Sequence, residues 1–585
     1  MDNKITGSNF MKSIRSEQNQ TFQAMSSEEF VKKPLDERLE ILPFITPARR
    51  QSIIIDCKDS SELVTHMEAQ DLFLTIKEIG LRDSVALLEI MNAEQFRYCI
   101  DLDCWIQDTI KHPQFWEWLN VLALANIKKA ASNLSQLDLE LVSATFSESV
   151  KVLTAKEDFD PDEGTPPGYS TIDGVHYLGF NCPQETSDTI YKILSEYFQF
   201  DHDFYMRLLN TIKDSLQTMK EEDAYQWKSA RLADLGFPEY PEALRIYSRP
   251  DKNAAKPSIT LPVSSAENPP PTFAIIRTEG EGMLSMSLMK KLSGRQCSEL
   301  AASAAVLANW IIVADKVDPG DSEALRKVIE KAKGILSIGL AAFGGEPSEA
   351  LNGKSLMEIF RMGYSKILDL SERAKSLVAV HPLVSDSKNF SRLDSVTSGT
   401  LKALMLKRPM FFTGAADPLR TDTDNFLSID DISAVARVLD EIDASAELFG
   451  FVFRIFKKDI LALDPEKLNV ESHDAISAMM IANTAIANMS LSGKYSAAPI
   501  STSLLPNLKS ILFATDGKDG LVLKDQALKI IGEISDKVAE RRKPIRSAAH
   551  EYLKKCLEEL KDSLARIDMN KIDSPLIDTI LLKAE

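Results

Sequence analysis

The sequence predicts a mainly α-helical protein: a right-handed helical superhelix at the N-terminus, a small β-hairpin insertion, and a C-terminal helical bundle. Three observations carry this reading. Apolar residues recur at helical spacing through most of the chain, capping and stop residues bracket the periodic segments, and one strong hairpin signal interrupts them. With 44% hydrophobic and 26% charged residues, the 585-residue chain has the composition of a protein that buries several ordinary cores.

Residues 1–34 are polar and mixed in charge, with no apolar stretch ending in a small-residue cleavage site, so they read as a flexible tail without an export signal. Residues 35–155 read as the superhelix. Thr65 with Glu68, and Ser135 with Asp138, have capping-box spacing, and Leu72, Ile76 and Ile79 fall on one helical stripe. Met67–Ile76 lines up with Met91–Ile100, 24 residues on, and Leu134–Val142 echoes both imperfectly. Units repeating at that period must stack to bury their apolar faces. Unrelated amphipathic helices in a globular bundle would carry a similar pattern.

Residues 156–250 open with an acidic, Pro/Gly-rich stretch. Asp173-Gly174, flanked by Thr171-Ile172 and Val175-His176-Tyr177, then predicts a tight hairpin, because both central turn residues need φ > 0. Helices resume to Leu235, where Gly236 suits the left-handed C′ position and Pro238 and Pro241 block continuation. A short helix through Ile246 follows. Pro250–Thr272 holds Lys256-Pro257, Leu261-Pro262 and Pro269-Pro270-Pro271, so residues 251–272 are expected to be a linker open to protease.

Residues 273–585 read as the C-terminal helical domain. Leu300–Ala314, interrupted by Ser303 and Asn309, is shorter than the roughly 20 residues that cross a bilayer, and is expected to be a buried helix. Glu323–Lys333 places Leu325, Val328, Ile329 and Ala332 on one face, with Gly334 expected to end the helix. Small residues in Ala475–Met489 suit close helix packing at the centre of a bundle.

A formal charge of −18 argues against phosphate-backbone binding, and the basic runs Ala48-Arg49-Arg50 and Glu540-Arg541-Arg542-Lys543 are short. Six scattered cysteines (57, 99, 104, 182, 297 and 556) lack the density of a disulfide framework and read as free thiols in a reducing cytoplasm.

The motifs that could carry chemistry are incomplete. Asn352-Gly353-Lys354-Ser355 ends like a phosphate-binding loop, but Ser348 stands where its first glycine belongs. Asp158, Asp160 and Asp162 alternate like calcium ligands, yet Glu163 and Tyr169 occupy the positions that need glycine and glutamate. Cys99, Cys104 and His112 lack a second pair at zinc spacing. Gly334-Ile335-Leu336-Ser337-Ile338-Gly339 misspaces a nucleophile elbow, and Phe115-Trp116-Glu117-Trp118 reads as helix packing. No cofactor or metal site is expected. His473-Asp474 is the dipeptide by which helical metal phosphohydrolases hold divalent ions, which leaves a metal-dependent hydrolase as the alternative function.

At Asp71–Gly80 (containing Thr75-Ile76-Lys77-Glu78-Ile79-Gly80), Asp101-Leu102-Asp103-Cys104-Trp105 and Arg231–Tyr240 (ending Leu235-Gly236-Phe237-Pro238-Glu239-Tyr240), the chain resembles an uncharacterised bacterial family defined as a domain of unknown function. That resemblance implies no activity. Residues 63–152 are also similar to the cytoplasmic helical domain of magnesium transporters, which implies a right-handed superhelix of short helices and not transport. The expected function is therefore a cytoplasmic helical protein-protein interaction, scaffold or regulatory protein without membrane insertion, whose oligomeric state the sequence leaves open. Glu68, Asp71 and Glu94, near helix starts, are expected to face water and steer a basic protein partner.

Overall fold

The computed structural model describes residues 22, 25–42, 45–214, 216–250, 294–346, 349–351, 354–384, 390–516, 520–567, 572 and 574–584. Helix makes up 69% of the structure, about twice the ordinary share, so the protein is mainly α. It divides into two compact units: residues 1–336 with 343–361, and residues 337–342 with 362–585. The expected linker, 251–272, lies outside the described residues, and so does the 1–21 part of the expected tail.

The first unit begins with α1 (Ser27–Val31), α2 (Leu35–Ile41), α3 (Pro47–Asp56), α4 (Ser60–His66), α5 (Ala69–Ile79), α6 (Val85–Ile90) and α7 (Ala93–Asp103). Asn92 and Gln95 form a reciprocal capping box on α7, which satisfies two of its orphan first-turn donors. The two expected boxes do not form. Thr65 lies inside α4, its hydroxyl donating to the Ser61 carbonyl at 2.7 Å, and the Ser135 hydroxyl donates to Ser132. Glu68 and Asp138 instead stand at N-caps without side-chain cap bonds. Helices α3 and α7 both pack on α5, which buries Gln70–Ile76 without a break and leaves Ile79 partly exposed. The expected one-sided stripe is thus a helix buried nearly all round over two turns.

A short ribbon, β1 (Trp105–Ile106) and β2 (Thr109–Ile110), leads into α8 (His112–Ala125), α9 (Ile127–Leu134) and α10 (Leu139–Ser149). Phe115, Trp116 and Trp118 are core residues, and the Trp118 indole donates to Asp103 at 2.8 Å. The chain then forms a three-stranded antiparallel sheet in the order β3 (Val150–Thr154), β5 (His176–Phe180), β4 (Tyr169–Thr171). The hairpin is present, but its loop is wider than expected: Thr171 pairs with Tyr177, and the Asp173 carboxylate fills the turn by accepting from the amides of Val175 and His176. Burial favours protonation of Asp173, yet these bonds and the His176 ring outweigh it and hold the carboxyl below its ordinary value.

Next come α11 (Gln184–Phe200), α12 (His202–Asp214), α13 (Gln217–Asp234) and α14 (Tyr240–Ala243). Helix α13 stops as expected. Gly236 adopts φ +79°, its amide donates to Ala233, and the Phe237 amide donates to Leu232. A side chain there would be strained and would also meet Val306 at 3.1 Å. Beyond the undescribed stretch, α15 (Gly294–Asp315) packs on α14, and residues 304–312 are buried as expected. No helix among the described residues is long and apolar enough to cross a membrane. Helix α16 (Ser322–Phe343) buries Leu325, Val328, Ile329 and Ala332, but it runs through Gly334 and stops at Gly344, which takes φ +74°. An interior glycine costs a helix about 1 kcal/mol, too little to end one whose flanks are buried.

In the second unit, the greater part of α17 (Leu356–Val380), α18 (Ser395–Leu404) and the pair β6 (Phe411–Phe412) and β7 (Thr423–Asp424) precede α19 (Ile429–Glu447), α20 (Lys457–Leu461) and α21 (Ala478–Ser492). The chain closes with α22 (Leu505–Leu512), the pair β8 (Phe513–Asp516) and β9 (Gly520–Leu523), α23 (Asp525–Arg541) and α24 (Arg546–Ala565). Helices α19, α21 and α23 all pack on α24. The small residues of α21 allow a close approach that Asn483 secures, donating to the carbonyls of Cys556 at 3.0 Å and Thr579 at 2.9 Å.

Candidate functional site

Helix α13 is amphipathic the wrong way round. Its buried residues are Lys220, Ala224 and Lys228, spaced i, i+4, i+8. Leu216 at its N-cap is 68% exposed, Met219 60% and Trp227 56%. The inward face holds because oxygens meet each cation. Lys220 Nζ donates to Ser147 Oγ at 2.7 Å and to the carbonyls of Thr211 and Ile212 at the end of α12, where the helix dipole favours a cation. Arg231 makes two bidentate pairs, with Asp101 at 2.7 and 2.9 Å and with Asp138 at 3.0 and 2.7 Å. Gln217 adds a bond to the Ala144 carbonyl at 3.0 Å. Helix α13 therefore docks on α10 and the end of α7 through charge-assisted bonds, each worth about 1.5–3 kcal/mol, and not through an apolar stripe.

Behind α13 lies a cleft of about 920 Å³. Its walls are the β1–β2 ribbon, the C-terminal half of α13, the 236–242 turn and the end of α15 with the 316–319 turn. Trp105, Phe237 and Trp310 are nearly fully buried, and Tyr225 and Tyr240 are half-buried. The Lys228 ammonium lies 4.7 Å from the Trp105 ring centre and 5.4 Å from that of Tyr225, and it donates to the Gln107 carbonyl at 3.1 Å. Lys316 lies 4.8 Å from the Tyr240 ring centre and donates to Gln107 Oε1 at 3.2 Å. Gln107 and Lys316 are two of the four described non-glycine residues with positive φ, at 58° and 56°. Non-glycine residues in the left-handed region are sparse and cluster at functional sites. Burial lowers the Lys228 amine to about 8, against the opposing pull of Asp101 and Asp108.

With this geometry in view, comparison with known proteins gives one match. The description "Family of unknown function (DUF6178)" fits residues 27–583, nearly the whole chain. The chain belongs to that family. No curated protein and no solved structure matches it. In this member of the family, two of the three segments that carried the sequence resemblance meet at the cleft: Asp101, Leu102 and Trp105 from one, and Gly236–Tyr240 from the other. The third segment lies in α5, where Thr75 accepts from the buried Arg50.

The expected partner-binding trio does not form one exposed surface. Glu68 and Glu94 are exposed, but Asp71 is 5% exposed because α3 and α7 close over its turn of α5. His473 Nε2 is hydrogen-bonded to the Leu463 carbonyl at 2.8 Å, and Asp474 is exposed. Among the described residues, no three His, Cys, Asp or Glu side chains converge as a metal site. Asp158 binds the Thr154 amide and Lys213, Asp160 caps Asp162, and Cys99 and Cys104 are buried. Asn352 and Gly353 lie outside the described residues, while Ser355 and Glu358 cap α17. The basic runs are engaged too: Arg50 donates to the Leu42 and Ile45 carbonyls, and Arg541 and Arg542 pair with Glu447 and Asp443. Sequence reading placed the stop of α13 but missed its buried cations and the cleft. The available signal was Lys220, Ala224, Lys228 and Arg231 on one helical face, a stripe that reads as solvated.

Proposed function

We propose that this protein is a cytoplasmic helical interaction protein, a scaffold of the regulatory kind, that holds a protein partner and not nucleic acid on the outer face of α13. The observation that carries this reading is the inverted helix. Leu216, Met219 and Trp227 are exposed on an element that is already docked through Lys220 and Arg231, and large exposed apolar side chains together mark interaction surfaces. Glu222 and Asp223 on the same exposed surface, with a net charge of −18, favour a partner segment that is apolar with basic flanks. Helices α5 and α7 each span 11 residues, start 24 residues apart and follow a shorter helix, which supports stacked repeats in residues 35–155. The free cysteines support a reducing compartment.

The test is quantitative capture from native cells with the wild-type chain and a Met219→Glu/Trp227→Glu variant. Both positions are exposed, so the variant's melting temperature should match that of the wild type. Loss of a specific protein from the captured set is expected. An identical set from a correctly folded variant would remove α13 as the docking face.

A further inference from the structure

Lys228 is a buried residue of α13 in the wall of the cleft, and its surroundings differ from those of the other inward cations. Lys77 meets Asp103 at 2.7 Å, Lys331 meets Asp315 at 2.7 Å, and Arg231 meets two carboxylates. Lys228 has no carboxylate within ion-pair distance among the described residues. Its one hydrogen bond is to the Gln107 carbonyl, and two aromatic rings complete its surroundings. Lys220 is the internal comparison: it is equally buried, but it has three hydrogen-bond acceptors and does not line the cleft.

An ammonium held by one neutral acceptor and two rings gives up its proton more readily than a salt-bridged one, and the lowered value of about 8 agrees. A neutral amine beside a cleft is a nucleophile. We propose that Lys228 condenses with the carbonyl group of a small aldehyde that enters the cleft, forming an imine.

The neutral Nζ lone pair attacks the carbonyl carbon, and the C=O π pair moves to oxygen. A proton passes from nitrogen to that oxygen, giving a carbinolamine. Departure of the hydroxyl with the remaining nitrogen proton as water leaves the C=N bond. One amine and one aldehyde become one imine and one water, with no oxidant or reductant. Trp105 and Tyr225 flank the amine, and Tyr240 and Trp310 also line the cleft, so an aromatic or apolar aldehyde fits it best.

The inference stands apart from the partner reading, because it uses a buried lysine of the cleft wall and needs no second protein. The full-length protein is incubated with benzaldehyde and sodium cyanoborohydride at pH 7.5, which traps an imine as a benzyl amine, and adducts are mapped by peptide mass spectrometry. Lys228 should label on the order of tenfold faster than Lys220, whose amine burial also lowers but which does not line the cleft, and than an exposed lysine outside the cleft such as Lys128. Labelling of Lys228 no faster than Lys220 overturns the proposal. In an Ala233→Trp variant, which fills an exposed position on the cleft wall, Lys228 labelling should fall while Lys128 labelling holds. Unchanged Lys228 labelling there would mean that the amine is reached by another route, and the cleft assignment fails.

Discussion

Lys228 and Arg231 sit three residues apart on one helix and solve the same problem in different ways. Arg231 is ionised between two carboxylates. Lys228 has a carbonyl and two rings, so burial falls on its charged form, and its folded value of about 8 lies below the ordinary 10.5. Between those values the unfolded chain binds more protons than the folded one, so stability contributed by this group rises as pH increases through that window. The full span corresponds to on the order of 3 kcal/mol. Lys228→Met, which keeps the stem and removes the charge, should therefore be most favourable relative to wild type at pH 7 and lose about 1–3 kcal/mol of that advantage by pH 10. Urea unfolding of both proteins at the two pH values measures this. A difference independent of pH would mean that Lys228 is fully protonated in the fold. None of this was legible in the sequence, where a lysine at helical spacing from another lysine reads as solvated.

Among the elements, terminators and positions proved readable where local chemistry decides. The Gly236 stop of α13, the hairpin at Asp173-Gly174 and the α15 core segment follow from backbone preference and apolar content. Gly334 shows the limit of that logic, because burial on both sides of it carries α16 to Gly344. Thr65 and Ser135 show it again: capping spacing alone does not start a helix, and the chain turns into α5 and α10 at Glu68 and Asp138 instead. A glycine in helix α23 offers a direct measurement. Gly532 lies in its interior with nothing within 4 Å of an added Cβ and without positive φ. Gly532→Ala should stabilise the second unit by about 0.5–1 kcal/mol, chiefly by restricting the unfolded chain. Thermal unfolding followed by far-UV circular dichroism reports it, and a lower midpoint would place an unseen constraint at that turn.

For the whole molecule, the surface is acidic, and the two basic runs that could have offset it are spent on carbonyls and carboxylates. Capture of a basic partner should therefore weaken as salt rises and the screening length falls toward about 8 Å, and duplex DNA should not compete. Charge reversal at the two exposed members of the original trio, Glu68→Lys with Glu94→Lys, should weaken capture at low salt and matter little at high salt. Equal capture by this double variant in low salt would confine recognition to α13.

What the sequence by itself determined is the mainly helical content, the place of some helices such as α15 and the stop of α13 at Gly236, the acidic balance, and the incompleteness of each familiar catalytic motif. These depend on neighbours a few residues apart, where propensity and periodicity act. The tertiary structure alone decided which face of each helix turns inward. Asp71 is buried because two other helices close over α5, and α13 turns its cations inward because Ser147 and Gln107 bring oxygens to Lys220 and Lys228, and Asp101 and Asp138 to Arg231, from segments about 70 to 130 residues away. Burial of a charge is decided by partners that arrive only when the chain folds, and the cleft beside Lys228 exists only through that arrangement.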